Sequence, residues 1–397
     1  MAGPLAGIRV VDLTSIMMGP YVTRLLGDMG ADVIKVESPD GDVLRRAGPS
    51  RHPGMGPYFL NLNRNKRSVV LDLRKPQGAD VLRSLLAQSD VLVHGLRPGS
   101  MARLGFGYED VRAIRRSIVY CGVYGYGEAG PYAGRPAYDD LIQGLSGAAS
   151  LEMMVSGTPA YHPTPMVDRT TALTAAYAIT AALLAAGRSG EGQSIEVPMF
   201  EVMADSVLTT HLAAATFEPP LAPVGYPRML TPARGPYRTG DGHVCVMFYT
   251  DQHWDAFFDL IGRAELKAEP RFHGSKRAEA QGELNAIAAA AMPARTTAEW
   301  LAAFEAAGIP ANRMHTLDTL LEDEHLHATG FLSMSEHPTE GTMRMTASPV
   351  TYSHTVQNTL RHAPKLGEHT DAVLTECGYS REERERLTDA GITRSRL

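Results

Sequence analysis

The sequence predicts an α/β protein built on a doubly wound parallel sheet, followed by a smaller unit that mixes strands and helices. Two observations carry this. From Ile8 to Val123, short apolar runs alternate with helical stretches at the length a parallel crossover requires. A passage punctuated by Pro219, Pro220, Pro223, Pro227, Pro232 and Pro236 then separates that alternation from a later set of elements.

Taken in order, residues 8–13 are a short apolar run, consistent with a buried strand. Gly19-Pro20 opens a helical stretch ended by Gly30, and residues 31–37 form a second strand. A polar stretch rich in turn residues runs over 38–65. Strands at 68–73, 90–94 and 117–123 follow, separated by helices at 78–88 and 108–115. A helix from Asp168 to a stop at Gly187, a strand at 193–197 and a helix at 199–215 complete this part. Beyond the prolines, the pattern predicts a strand at 242–248, helices at 252–261, 278–291 and 297–307, and a short one at 316–321. A strand at 343–347 and helices at 370–376 and 381–389 close the chain. There is no internal repeat.

Composition narrows the function. The chain has 397 residues, 44% apolar and 21% charged, enough for a sizeable core and two domains. A net charge of −6 without a Lys/Arg block argues against a nucleic-acid footprint. Cys121, Cys245 and Cys377 are far apart, so neither a metal site nor a disulfide framework is implied, and each is expected as a small buried residue. No basic leader and no uninterrupted apolar span precedes or crosses the elements, which predicts a soluble cytoplasmic enzyme with no membrane or nucleic-acid partner.

Gly122-Val123-Tyr124-Gly125-Tyr126-Gly127 follows a strand and imitates a dinucleotide loop. Such a loop must open a helix that receives the pyrophosphate, but Gly130, Pro131, Gly134 and Pro136 delay any helix to about Asp139. A loop over an active site fits better. Asp168, after His162-Pro163-Thr164-Pro165, is expected at or near the N-cap of the Ala-rich helix. One reading makes it a cap that satisfies backbone donors. The other has the same donors and the helix dipole keep a partly buried carboxylate ionised, as a nucleophile toward an acyl carbon.

A family pattern decides between them. Pro4-Leu5-Ala6-Gly7-Ile8-Arg9-Val10-Val11-Asp12-Leu13, Gly19-Pro20, the run 26–37, Asn65-Lys66-Arg67-Ser68, Leu71-Asp72-Leu73-Arg74, Arg97-Pro98-Gly99, Arg103-Leu104-Gly105, Gly308-Ile309-Pro310 and Leu366-Gly367-Glu368-His369-Thr370-Asp371 follow in an order and spacing that resembles the class III CoA-transferases (CaiB/BaiF type), such as the formyl-CoA, carnitine and citramalate enzymes. The resemblance implies a Rossmann-like large domain, a small α+β domain, two linkers and an interlocked homodimer. On this chain the large domain would span 1–217, the first linker 218–236, the small domain 237–328, the second linker 329–363, and a return to the large domain 364–397.

It also implies the chemistry: CoA passes from an acyl-CoA donor to a carboxylic acid acceptor through an aspartyl mixed anhydride and an aspartyl-CoA thioester on Asp168, with CoA as the only cofactor and no metal. Asp139 and Tyr138 would stand beside the nucleophile, and Gly19 and Met17 beside the thioester, where backbone N–H groups stabilise oxyanion charge. Arg74 and Arg103 would hold CoA phosphates, Leu71 and Leu73 flank the adenine, and Met199 line the pantetheine arm. Ser15, Met17 and Ser38 depart from the formyl-CoA enzymes, which argues against formyl-CoA:oxalate exchange. The alternatives are an acyl-CoA racemase of the same fold and a non-catalytic acyl-CoA-binding protein. Tyr138 and Arg238 stand where a racemase has its His and Glu, and a phenol is a poor base at neutral pH. Met17, Met18, Tyr124, Tyr126, Met229 and Phe248 suggest a partly apolar pocket, with Arg46 or Arg228 to meet a second carboxylate.

Overall fold

The computed structural model describes residues 3–97, 99–355 and 361–394. Pro98 of the Arg97-Pro98-Gly99 match, residues 356–360 of the expected second linker and the last three residues lie outside the described residues. Two compact units divide the chain. The large unit comprises Met1–Ser146, His162–Asp205 and His325–Leu397, and the second unit Gly147–Tyr161 and Ser206–Glu324.

The first elements are β1 (Arg9–Leu13), α1 (Met18–Asp28), β2 (Asp32–Glu37), α2 (Pro57–Leu62), β3 (Lys66–Val70), α3 (Pro76–Leu86), β4 (Val91–His94), α4 (Ser100–Arg103), α5 (Tyr108–Ile114) and β5 (Val119–Tyr124). Then come α6 (Asp139–Leu145), α7 (Ala148–Ser156), α8 (Met166–Ser189), β6 (Ser194–Pro198) and α9 (Met199–His211). Next are β7 (Tyr237–Arg238), β8 (His243–Val246), α10 (Asp251–Leu260), α11 (Gln281–Ala291), α12 (Thr297–Ala306), β9 (Ala311–Arg313) and α13 (Leu317–Leu320). The last are α14 (Glu324–Ala328), β10 (Leu332–His337), β11 (Gly341–Thr346), α15 (Thr370–Glu376) and α16 (Arg381–Asp389).

In the large unit six parallel strands run in the order β3-β2-β1-β4-β5-β6. Register pairs Val10 with Val33 on one side and with Val91 on the other. Because side chains alternate across a strand, Val10 and Val11 enter opposite cores. One core packs Val22 and Leu26 of α1 and Ala172, Ala175 and Ile179 of α8 on Val10, Val33, Val91 and Cys121. The other packs Leu82 and Leu85 of α3, Val111 of α5, and Val373, Leu374 and Leu387 of the two last helices on Val11, Ile34 and Leu92. The strands are therefore apolar on both faces, which is why they read as runs rather than as alternation. The chain end returns to β3: Asp72 N–H donates to the Ile392 carbonyl at 2.8 Å and His369 N–H to that of Ser68 at 3.0 Å.

The second unit is an antiparallel sheet β7-β8-β9 with an aromatic core. Trp254, Phe257 and Phe258 of α10 and Trp300 and Phe304 of α12 are buried there with Val244 and Phe272.

Several local expectations change. α1 starts at Met18, so Gly19 and Pro20 lie inside its first turn, where a proline loses no helical bond. The polar stretch 38–65 contains α2 and a 3₁₀ turn, Val43–Arg46. They pack because Arg45 forks onto Glu37 with two bonds of 2.7 Å and lies 3.7 Å over the Phe59 ring. Gly187 does not stop α8; the helix runs on to Ser189 and ends at Gly190, whose φ of 73° supplies the left-handed cap. The 24 residues of α8 are long and apolar enough to cross a membrane by length and composition, but its Ala172, Ala175 and Ile179 lie in the core. Helix α7 has no counterpart in the sequence reading, and the expected second linker contains the antiparallel hairpin β10–β11. Cys245 is exposed rather than buried, since it sits on the open side of β8.

Candidate active site

The strand order reverses direction between β1 and β4. In open α/β sheets, ligands sit at the carboxyl ends of the strands flanking that point. A cavity of about 310 Å³ lies there, walled by Ile16 and Met18 after β1, Gly95 and Arg97 after β4, Val123 to Tyr126 at the end of β5, and Met199 after β6. Arg135 and Tyr138, from the loop before α6, complete the wall.

The loop after β1 is held from behind by buried charges. Asp12 Oδ1 accepts the Thr14 N–H at 2.9 Å, and Oδ2 accepts Thr23 Oγ1 at 2.7 Å and Lys66 Nζ at 3.0 Å. Lys66 Nζ also donates to the carbonyl of Pro20 at 2.9 Å, and Lys35 Nζ to that of Thr14 at 2.8 Å. Lys35 pairs with Asp42 at 3.0 Å, and Asp42 accepts the Ile16 N–H at 3.3 Å. All four charged side chains are buried, which proteins tolerate only for paired groups. Burial by itself raises the Asp12 carboxyl, but the charges of Lys66 and Lys35 and the hydroxyls of Thr14 and Thr23 bring it down to about 2. Between these anchors Ile16 adopts φ 70°, a rare conformation for a β-branched residue, at the edge of the cavity.

Two glycines give the site its room. A Cβ on Gly19 would lie 2.3 Å from Thr14 Cβ, so only glycine lets α1 start against the end of β1. A Cβ on Gly122 would lie 2.3 Å from Tyr124 Oη, so Gly122 admits the phenol that lines the cavity. Tyr124 Oη is 3.4 Å from His94 Nε2. Burial drives the His94 imidazole down to about 4 and the Tyr124 phenol upward, so both are uncharged at neutral pH.

Asp168 is the third residue of α8, not its N-cap. Pro165 takes the cap position because its carbonyl accepts the Arg169 N–H at 3.1 Å and needs no N–H of its own. The Asp168 side chain makes no cap bond, and no hydrogen bond among the described residues. Its backbone N–H instead donates to Asp139 Oδ2 at 2.9 Å. Asp139 Oδ1 in turn accepts Gln143 Nε2 at 2.6 Å, and the buried Gln143 accepts the His162 N–H at 2.8 Å. This chain fixes the start of α8 against α6, beside Tyr138. Arg169 lies 4.2 Å over the Tyr21 ring and docks α8 on α1.

The expectation that the helix end keeps Asp168 ionised is overturned. Burial, then the neighbouring charge of Asp139, raises its carboxyl to about 7, against a smaller opposing pull from Arg169. Among the described residues nothing donates to the carboxylate to offset the lost hydration.

Of the residues singled out by sequence, Tyr138 and Met199 line the cavity, with Asp139 and Asp168 adjacent through Tyr138. Met17, the N-cap of α1, and Gly19 do not line it, although their neighbours Ile16 and Met18 do. Leu71 is 1% exposed and belongs to the core, because it continues β3 under α3; it has no face for an adenine. Leu73 is partly buried against the same core. Arg74 is on the surface, its side chain 82% exposed and paired with Asp72 at 2.8 Å. Arg103 is exposed on α4 and donates to Ser100 Oγ at 2.8 Å. Neither arginine reaches the cavity. Arg97 does, and neither it nor Arg135 has a carboxylate partner among the described residues. The position of Arg97 three residues past a parallel strand was the signal for it. Met18, Tyr124 and Tyr126 line this cavity, whereas Phe248 and Arg228 line another in the second unit and Arg46 is on the surface bound to the Asp40 carbonyl. Among the described residues no group of three or more His, Cys, Asp or Glu side chains is arranged to hold a metal ion.

Known proteins resemble the chain over nearly its whole length. Residues 5–370 match the family described as CoA-transferase family III. The succinyl-CoA:glutarate CoA-transferase of Mus musculus is 32% identical, over 98% of this chain and 90% of its own. The succinate–glutarate CoA-transferase of Agrobacterium fabrum is 31% identical, over 94% of this chain and 95% of its own. Rv3272 of Mycobacterium tuberculosis, described as a probable fatty acyl-CoA transferase, is 31% identical over 94% of this chain and 98% of its own. A crystal structure of Rv3272 superposes with a TM-score of 0.82 at 28% identity, covering 94% of this chain and 99% of that one. The chain belongs to CoA-transferase family III and is a CoA-transferase acting on acyl-CoA thioesters and carboxylic acids.

Proposed function

We propose that Asp168 is the covalent carrier in the transfer of CoA between two carboxylic acids. The observation that carries this is a carboxylate at the first turn of α8, partly buried, without a hydrogen bond of its own, and tied through Asp139 to a wall of the switch-point cavity. A poorly solvated carboxylate is costly to ionise but reactive once ionised.

The ionised Asp168 attacks the thioester carbonyl, the C–S bond breaks, and CoA leaves as a thiolate from a mixed anhydride. The thiolate attacks the aspartyl carbonyl, releasing the donor acid as a carboxylate and leaving an aspartyl-CoA thioester. The acceptor carboxylate attacks that thioester, re-forming an anhydride and the thiolate. The thiolate then takes the acceptor acyl group and frees Asp168. Protons balance without an external acid, and one thioester replaces another.

The backbone of the 14–20 loop, including Met17 and Gly19, supplies oxyanion donors in this reading. Tyr138 and Asp139 position the acid, Met199 lines the pantetheine arm, Leu73 flanks the adenine, and Arg74 and Arg103 meet CoA phosphates. The acids are dicarboxylic: Arg97 and Arg135 at the cavity have no carboxylate partner among the described residues, and the mouse and Agrobacterium relatives are named for such acids. The working protein is a cytoplasmic homodimer. Leu173, Tyr177 and Leu184 form an exposed apolar stripe on α8 that a second copy would cover.

Mixing the enzyme with succinyl-CoA and hydroxylamine tests the carrier. A hydroxamate on Asp168, seen by peptide mass, is the expected result. An unmodified Asp168 in an enzyme that still exchanges labelled succinate into succinyl-CoA would sink the proposal.

A further inference from the structure

The end of β5, residues 122–125, brings little side chain to the switch-point cavity. Gly122 and Gly125 have none, and Val123 is 2% exposed and packs in the core with α1 and α8. Tyr124 is what this strand end offers: it is partly exposed and stands on the wall with Met18 and Ile16.

Gly122 and Tyr124 are two residues apart, so they belong to the same face of the sheet. The phenol turns back along its own strand and lies against Gly122. A Cβ there would stand 2.3 Å from Oη, 2.4 Å from Cζ and 2.8 Å from Cε2. Gly122 is also the register partner of His94 on β4. The ring therefore comes to rest beside the imidazole, with centroids 5.7 Å apart and Oη 3.4 Å from Nε2. His94 is 1% exposed and its Nδ1 has no partner among the described residues, so the phenol supplies the imidazole's hydrogen bond. Backbone and imidazole together leave the ring no deeper place to go. A side chain has been omitted at position 122 so that a rigid one can lie flat at position 124, where the ends of β4 and β5 would otherwise give the cavity more depth.

We propose that the Tyr124 ring sets the length of the acyl chain that this enzyme accepts, resting on the reading of this cavity as the acyl site of the transfer. Asp168 adjoins the cavity through Tyr138, and an acyl group carried there extends inward until it meets the ring. The hydroxyl holds the ring on His94, and the ring occupies the space. The cavity, about 310 Å³, is at the small end of the roughly 300–1,000 Å³ typical of ligand sites, which suits a short chain. Well-packed sites resist added methylenes because their walls cannot yield without strain.

The experiment measures kcat/KM of the full-length protein with succinyl-CoA as donor and glutarate, adipate, suberate or sebacate as acceptor. The wild type should favour glutarate over suberate. In Tyr124→Ala the suberate-to-glutarate ratio should rise about tenfold or more, mainly through the acceptor KM. Tyr124→Leu, a milder change, should raise it in the same direction by less. Tyr124→Phe should keep the wild-type ratio but melt at a lower temperature, since His94 loses its partner. A wild type that prefers suberate, a ratio unmoved in Tyr124→Ala or Tyr124→Leu, or one moved as far by Tyr124→Phe as by Tyr124→Ala would overturn the proposal. Hydroxylamine trapping on the same proteins separates the two readings. An unmoved ratio with Asp168 still labelled sinks the length limit alone. A ratio that moves as expected while Asp168 stays unlabelled sinks the covalent reading and leaves the length limit standing.

Discussion

At Asp168, the burial that leaves the carboxylate reactive also sets the pH at which it works. Its carboxyl lies near 7, and the ionised form attacks, so the rate of transfer should rise with pH through about 7 and then level. Asp139→Asn removes the second cause of the shift and should move that midpoint to lower pH, read from the pH profile of single-turnover acylation. Asp168→Ala should cost on the order of 10³-fold or more in turnover, with folding intact by circular dichroism. The same shift has a stability signature. A carboxyl raised above its ordinary 3.8 favours the native state while protonated, and that contribution is lost as pH rises through about 7. Asp168→Asn should therefore gain on the wild type as pH rises from about 4 to about 7, and melt above it at pH 8 by on the order of 4 kcal/mol.

At the scale of the element, the 14–20 loop keeps a strained conformation because buried ions pin both of its ends. Lys66→Met removes the bond to Pro20 and leaves Asp12 buried without that partner, and should destabilise by about 3–5 kcal/mol in urea. Adding Asp12→Asn should recover part of the loss, since a neutral amide needs less compensation. The depressed Asp12 carboxyl contributes stability that is present above 3.8 and lost as pH falls toward about 2, so Asp12→Asn should flatten acid unfolding in that window. Ile16→Gly should relieve backbone strain of order 1–3 kcal/mol while loosening the loop, and so raise KM more than stability.

Across the whole molecule, the chain leaves the large unit, forms the second and comes back to finish the first. Deleting residues from 364 onward removes Val373, Leu374, Leu387 and Ile392 from the core under β2 and β3. Each buried aliphatic contributes about 1.5–3 kcal/mol, so the truncated chain should unfold far below the full one in a thermal melt although every sheet strand remains. If a second copy covers α8, Tyr177→Glu should halve the mass measured by light scattering. An assay with succinyl-CoA against acids of increasing length should favour dicarboxylates, and Arg97→Ala should narrow that preference by about tenfold or more.

Much of this was legible in the residues. Apolar runs separated by helical stretches marked five of the six parallel strands before the Asp168 helix and the sixth after it, and α15 and α16 begin and end where their periodicity does. Those signals are local: side-chain period, caps and the refusal of proline to enter a helix. Asp168 was a candidate from its place before an Ala-rich helix, but the residues near it favoured a cap, and only the family pattern argued for a nucleophile. What folding alone decided is charge state and company. Asp139 meets Asp168 across 29 residues and Lys66 meets Asp12 across 54, through strand register and helix packing that no local window encodes. Leu71, expected beside an adenine, is turned into the core by its strand, and Arg97, given no role by the residues around it, is placed at a cavity by the strand it follows. Periodicity can be read along a chain, whereas desolvation and Coulomb interaction depend on distances that exist only once it has folded.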